Sequence, residues 1–226
     1  MHIPDGFLDP EIAVAAGVLS IGAVAYGLRR AEVELDERRV PLLGVTGAFV
    51  FAAQMLNFPV AGGTSGHFLG AALAAILLGP WLACLVMAVV LAMQAFLFAD
   101  GGITALGANV LNMGVLGALC VGAAMALAAR VLPKGRVALL AVAGGGAWLA
   151  VMLGALATAL ELAASGTVPL GTVVPAMLGV HAVIGLGEAV ITVAAVGAVL
   201  ASRPDLVAAR GLVPALAPIH PGLREA

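Results

Sequence analysis

The sequence predicts an all-α polytopic membrane protein of seven transmembrane helices, with its N-terminus outside the cell and its C-terminus inside. Three observations carry that expectation. First, 63% of the 226 residues are hydrophobic and only 10% are charged, whereas a soluble domain is about a quarter charged. Second, no Asp, Glu, Lys or Arg interrupts residues 40–99 or 137–160, and apolar runs of that length read as membrane spans. Third, the ten Lys and Arg gather in a few short stretches between those runs. The bilayer then selects helices, because each backbone N–H and C=O must be satisfied inside its own span.

Charge clusters, Gly/Pro punctuation and a need for about 20 residues per span divide the chain. Span 1 is expected at 11–28, followed by the charged loop RRAEVELDERR at 29–39. Span 2 covers 40–58 and leads into the glycine-rich PVAGGTSGH. Span 3 covers 67–78 and rises only about 18 Å against a hydrocarbon core of about 30 Å. With the Gly79–Pro80 turn near the cytoplasmic surface, His67 lies well below the outer one, and AGGTSG becomes a loop dipping into the bundle. Such backbone is tolerated at depth only where it is buried in protein or lines a cavity. Span 4 covers 81–98, ADGGITALGANVLNMG follows, and span 5 ends near Ala129 before RVLPKGR. Span 6 covers 137–160, ELAASGTVPLGTVVP forms a loop, and span 7 covers 176–200. The chain thus divides into an extracytoplasmic segment (1–10), a membrane domain (11–201) and a cytoplasmic Pro-rich tail (202–226).

In this arrangement Arg29, Arg30, Arg38, Arg39, Arg130, Lys134, Arg136, Arg203, Arg210 and Arg224 all fall on one side. The positive-inside rule makes that side the cytoplasm. The outer side carries Asp5, Asp9, Glu11, Asp100 and Glu161, a negative field that favours a cation. Cys84 and Cys120 lie in apolar runs without CxxC spacing, which reads as two buried free thiols.

The opening MHIPDGFLDP lacks the Lys or Arg that begins a secretory leader; the first Arg is Arg29. Its chemistry lies elsewhere. Removal of an initiator Met needs a small second residue, and His is large, so Met1 is expected to stay with a free α-amine. That amine, the His2 backbone nitrogen and His2 Nδ1 chelate one ion through fused five- and six-membered rings. Three nitrogens then lie in one plane, and a fourth completes the square that suits Ni2+ or Cu2+. His67 is the candidate fourth ligand, since ten residues reach up to about 34 Å.

At these residues the chain resembles the CbiM/NikM family, the substrate-binding (S) subunits of energy-coupling-factor nickel and cobalt importers. The blocks MHIPDGFL, FAAQMLNFPVAGGTSGHFLGAALAAILLGPW, FADGGITALGANVLNMG and HAVIGLGEAVIT carry the resemblance over nearly all of the membrane region. It implies a six-helix S-subunit core with one added N-terminal helix, in a bacterial or archaeal cell membrane. It implies Ni2+ or Co2+ held by the Met1 amine, the His2 amide and imidazole nitrogens, and the His67 imidazole, with cobalamin biosynthesis as one destination. It also implies partners: a transmembrane scaffold (T) subunit, two cytoplasmic ABC-type ATPases and a small accessory membrane subunit. No GxxxxGK[ST] loop occurs, so the chain is expected to be a transport subunit with no ATPase site of its own. No catalytic cofactor and no nucleic-acid partner are expected.

A metal-bound His usually has its other ring nitrogen hydrogen-bonded. Asn57, Thr64, Ser65, Asn109 and Asn112, all near the outer ends, are the candidates to do this for His67. His181 and Glu188, seven apart, share a face of span 7. A Glu at that depth is costly and faces the bundle interior, with an interhelical hydrogen bond favoured over a relay. One rival reading is a rhomboid-like intramembrane serine protease, with Ser65 in GTSG as nucleophile and His181 as base. Its glycine spacing after His181 departs from that motif, and it leaves MHIPDG unexplained. Another rival is a vitamin-binding subunit of the same importer class, for which 4% aromatics offer little to stack on. A zinc metalloprotease lacks its HExxH.

Overall fold

The computed structural model describes residues 1–37, 39–56, 58–60, 64–209 and 212, with backbone alone at 58–60, 64 and 65. Seven helices are present among these residues: α1 (Pro10–Glu34), α2 (Arg39–Gln54), α3 (Ala71–Leu78), α4 (Pro80–Phe98), α5 (Leu106–Val131), α6 (Arg136–Ala164) and α7 (Leu170–Ser202). Five of them, α1, α4, α5, α6 and α7, are long and apolar enough to cross a membrane. The molecule is therefore a helical multi-pass membrane protein. The tail beyond residue 212 and Asn57 lie outside the described residues.

Helix ends follow local chemistry. Asp9 caps α1 by accepting from the Glu11 N–H at 2.9 Å, with Pro10 in the first turn, where its missing N–H costs nothing. The expected loop at 29–39 is shorter than anticipated: α1 continues to Glu34, and Arg30 donates to Glu34 one turn on, a pairing that favours helix. The expected loop at 161–175 is shortened too, because α6 runs to Ala164 and α7 begins at Leu170. Pro175 falls in the second turn of α7, close to the end where few intrahelical bonds are at stake. The α6 and α7 pair packs along much of its length.

The expected span 3 is corrected as well. Residues 67–70 are irregular, and helix begins only at Ala71. With eight residues, α3 rises about 12 Å and is buried along its whole length. Before it, Phe58–Val60 pairs antiparallel with Thr64–Gly66, Phe58 opposite Gly66, in place of a plain loop. Gly70 explains the entry into α3. Its φ is +80°, and a Cβ there would stand 2.7 Å from both Val50 methyls, so only glycine suits the position. Within α5, Val110–Val115 is π-helical, which offsets the faces on either side of it. Cys84 and Cys120 are free thiols.

Candidate metal site

The N-terminal segment runs into the bundle rather than into solvent. Met1 and Ile3 are fully buried and His2 is 4% exposed. Tail and loop interlock by backbone contact: the Gly102 N–H donates to the Ile3 carbonyl at 2.8 Å. A Cβ on Gly102 would lie 2.3 Å from the Asp5 nitrogen, so the two backbones touch where a side chain cannot fit. Asn109 grips the same residue twice, accepting from the Ile3 N–H at 2.8 Å and donating to its carbonyl at 3.1 Å. Nearer the surface, Asp5 accepts from the Thr104 N–H and hydroxyl at 2.7 and 2.6 Å, which holds its carboxyl below the usual range. The Thr167 hydroxyl donates to the Phe7 carbonyl. Met1 itself packs beside Gly154 of α6, where a Cβ would lie 3.3 Å from its sulfur.

This docking brings the His2 and His67 rings together, with centroids 4.6 Å apart and planes tilted by 31°. His67 is fully buried and lies within electrostatic reach of the Met1 amine, His2 and His181. Ring orientation then follows from the partners. His67 Nδ1 faces the Phe68 carbonyl at 2.7 Å, which only accepts, so Nδ1 carries the proton and Nε2 the lone pair. His2 Nε2 faces Gln94 Oε1 at 3.1 Å; with the proton on that nitrogen the lone pair is on Nδ1, which lies 3.4 Å from Asp100 Oδ1. The two nitrogens left with lone pairs, His2 Nδ1 and His67 Nε2, make no hydrogen bond among the described residues. Burial without a partner is costly, and a metal ion would relieve it.

Burial also keeps the donors unprotonated. It pushes the Met1 amine down to about 5, against an upward pull from Asp100. The same cause lowers His2 to about 4, with Asp100 again pulling upward. Both groups are thus neutral and able to donate at pH 7. Among the described residues no three His, Cys, Asp or Glu side chains stand together as a metal cluster.

The expected helpers of His67 resolve differently. Asn109 serves Ile3, and Asn112 donates to Thr158 Oγ1 at 3.3 Å and to Glu161 Oε2 at 2.5 Å. The Phe68 carbonyl, next along the chain, is what orients His67. The side chains of Thr64 and Ser65 lie outside the described residues, as does the nucleophile of the protease reading. His181 Nδ1 donates to the Met177 carbonyl at 2.8 Å. Two residues matter more than sequence reasoning indicated. Glu188, fully buried in the bundle, accepts from the Leu69 and Gly70 N–H groups at 2.7 and 2.8 Å. Gln54 donates to the Leu69 carbonyl at 2.6 Å. Together they fix the segment that carries His67. Gln94 and Glu188 act across 92 and 119 residues of chain, and only a 67–70 segment left outside helix needs its N–H groups capped from elsewhere.

The family described as "Cobalt uptake substrate-specific transmembrane region" matches residues 2–206. A protein of Haloquadratum walsbyi, whose name provisionally assigns it to metal transport, is 44% identical over 92% of this chain and 93% of its own. The fused nickel transport protein NikMN of Rhodobacter capsulatus is 36% identical; the match covers 93% of this chain and 65% of that longer protein. A crystal structure of a truncated transition metal transporter superposes with a TM-score of 0.81 at 32% identity, covering 89% of this chain and 99% of that one.

Proposed function

This chain belongs to the CbiM family of cobalt-uptake substrate-specific transmembrane regions, and from that premise we propose that it is the metal-capturing membrane subunit of an energy-coupling-factor importer for Ni2+ or Co2+. The ion is taken from outside into a square plane of four nitrogens: the Met1 amine, the deprotonated His2 amide, His2 Nδ1 and His67 Nε2. One observation carries this reading. Both ring nitrogens that such a plane uses lack hydrogen bonds among the described residues, as His181 Nε2 also does, but only His2 and His67 stack against each other, with centroids 4.6 Å apart, and the opposite nitrogen of each is spoken for. That is the arrangement by which a protein fixes the tautomer and angle of a metal-binding imidazole.

The sequence supports seven spans with the tail outside, because the apolar runs separate short stretches that hold all ten Lys and Arg, which the positive-inside rule assigns to the cytoplasm. Release to the inside requires partners, namely a scaffold subunit, two ATPases and a small accessory subunit, because the chain carries no phosphate-binding loop. Adding one residue ahead of Met1 tests the chelate. It moves the amine out of ring-forming distance, and calorimetry with Ni2+ or Co2+ on the purified protein should show binding lost. Unchanged affinity would refute the terminal chelate.

A further inference from the structure

Ligand donors alone leave the captured ion with a charge problem. A divalent cation bound by a neutral amine, two neutral imidazoles and one amide anion keeps a net charge of about +1, buried in the bundle. Placing an uncompensated charge in such surroundings is strongly unfavourable. Glu188 is engaged elsewhere: its two oxygens accept from the Leu69 and Gly70 N–H groups, and it is not among the charges acting on the Met1 amine, His2 or His67. The carboxylate that faces the site is Asp100. Its Oδ1 lies 3.4 Å from His2 Nδ1, the ring nitrogen left without a hydrogen bond. Asp100 is also the acidic charge that acts on both the Met1 amine and His2.

The placement of Asp100 is built. Its N–H donates to the Gln94 carbonyl at 3.0 Å, and Gln94 is the residue that receives His2 Nε2–H. The C-terminal end of α4 therefore addresses both nitrogens of one imidazole. Ala99, between helix and Asp100, turns the chain through φ +52°. Asp100 is also the more exposed of the pair: its side chain is 17% exposed, against 3% for that of His2.

We propose that Asp100 is the counter-charge of the captured metal ion and the carboxylate through which the ion reaches the chelate. This inference rests on the four-nitrogen reading above. The cation meets the partly exposed carboxylate first. It then passes to the nitrogens as the His2 amide proton leaves to water, and Asp100 remains beside the neutralised complex. The charges sum to zero: +2 from the ion, −1 from the amide and −1 from Asp100.

The test measures Ni2+ binding to purified full-length protein by calorimetry and by stopped-flow, for the native chain, Asp100→Asn, Asp100→Ser and Asp100→Glu. Removing one charge a few ångström from the ion, with partial screening, should weaken binding roughly 100-fold. Asp100→Asn should also slow association and flatten its dependence on salt, because steering by that charge is gone. The visible absorption of the nickel, saturated at high concentration, should keep the native bands, since all four nitrogens remain. Asp100→Glu should recover most of the affinity. If Asp100→Asn misfolds, Asp100→Ser carries the same expectation. Native affinity and native salt dependence in the neutral variants would overturn the role of Asp100, as would altered nickel bands. A native protein that binds no nickel would instead overturn the four-nitrogen reading.

Discussion

The candidate ligands come from two stretches of chain, and these are held by different chemistry. Residues 1–5 dock through neutral amide contacts to Asn109 and Gly102, plus an exposed carboxylate on Thr104. Residues 67–70 hang from a buried carboxylate, Glu188, and from Gln54. Glu188 alone satisfies two buried N–H groups, so its loss strands more donors than the loss of any single tail contact. The 67–70 segment is tied to the bundle through Glu188 and Gln54, while the tail is tied through Asn109, Gly102 and Thr104.

The comparison breaks most readily at Glu188. Glu188→Ala leaves two buried N–H groups without acceptors, a loss of about 1–3 kcal/mol each. A thermal unfolding midpoint lowered by many degrees, together with lost metal binding, is expected; an unchanged midpoint would contradict the anchoring role. Asn109→Ala strands the Ile3 N–H alone, because the Ile3 carbonyl keeps Gly102. Metal affinity should fall about 10- to 100-fold, with a smaller effect on the unfolding midpoint. Equal effects of the two variants on the midpoint would erase the distinction.

Acidity sharpens the same comparison. In the undocked tail the Met1 amine and His2 titrate near 8.0 and 6.5, and docking lowers them to about 5 and about 4. The undocked state binds more protons across that window, so docking is fully favoured above about pH 8 and weakens progressively towards pH 4. Native-state hydrogen exchange of metal-free protein should show the Ile3 amide losing protection between pH 8 and 5, after correction for intrinsic rates. The Leu69 amide should hold its protection, and parallel loss at both would contradict the account. Thr104→Val is the mildest change, since it removes one hydroxyl contact at the rim. An affinity loss under about tenfold is expected by calorimetry, and a loss as large as that of Asn109→Ala would place the main hold on the tail elsewhere.

Much of this architecture was legible in the sequence because its causes are local. Uncharged runs marked the long helices, and Gly79–Pro80 marked the break between α3 and α4. MH at the start and GTSGH near residue 67 carried the proposed ligand set through resemblance to a family, and the fold brings the His2 and His67 rings together. What escaped was non-local or masked by composition. The charged stretch 29–34 looks like loop, yet Arg30 and Glu34 pair along a helix turn. Asn109 and Asn112 are three apart, but with the π-helical stretch beginning at Val110 one serves the tail and the other α6. Glu188 reads as a mid-membrane acid, and its use is visible only once α3 is seen to begin deep inside the bundle.

The most direct measurement is an anomalous difference map from crystals grown with nickel. The account predicts one strong peak in the plane of the Met1 nitrogen, the His2 amide nitrogen, His2 Nδ1 and His67 Nε2, with the tail packed against α5. A peak bonded to other residues, with residues 1–5 displaced into solvent, would contradict it.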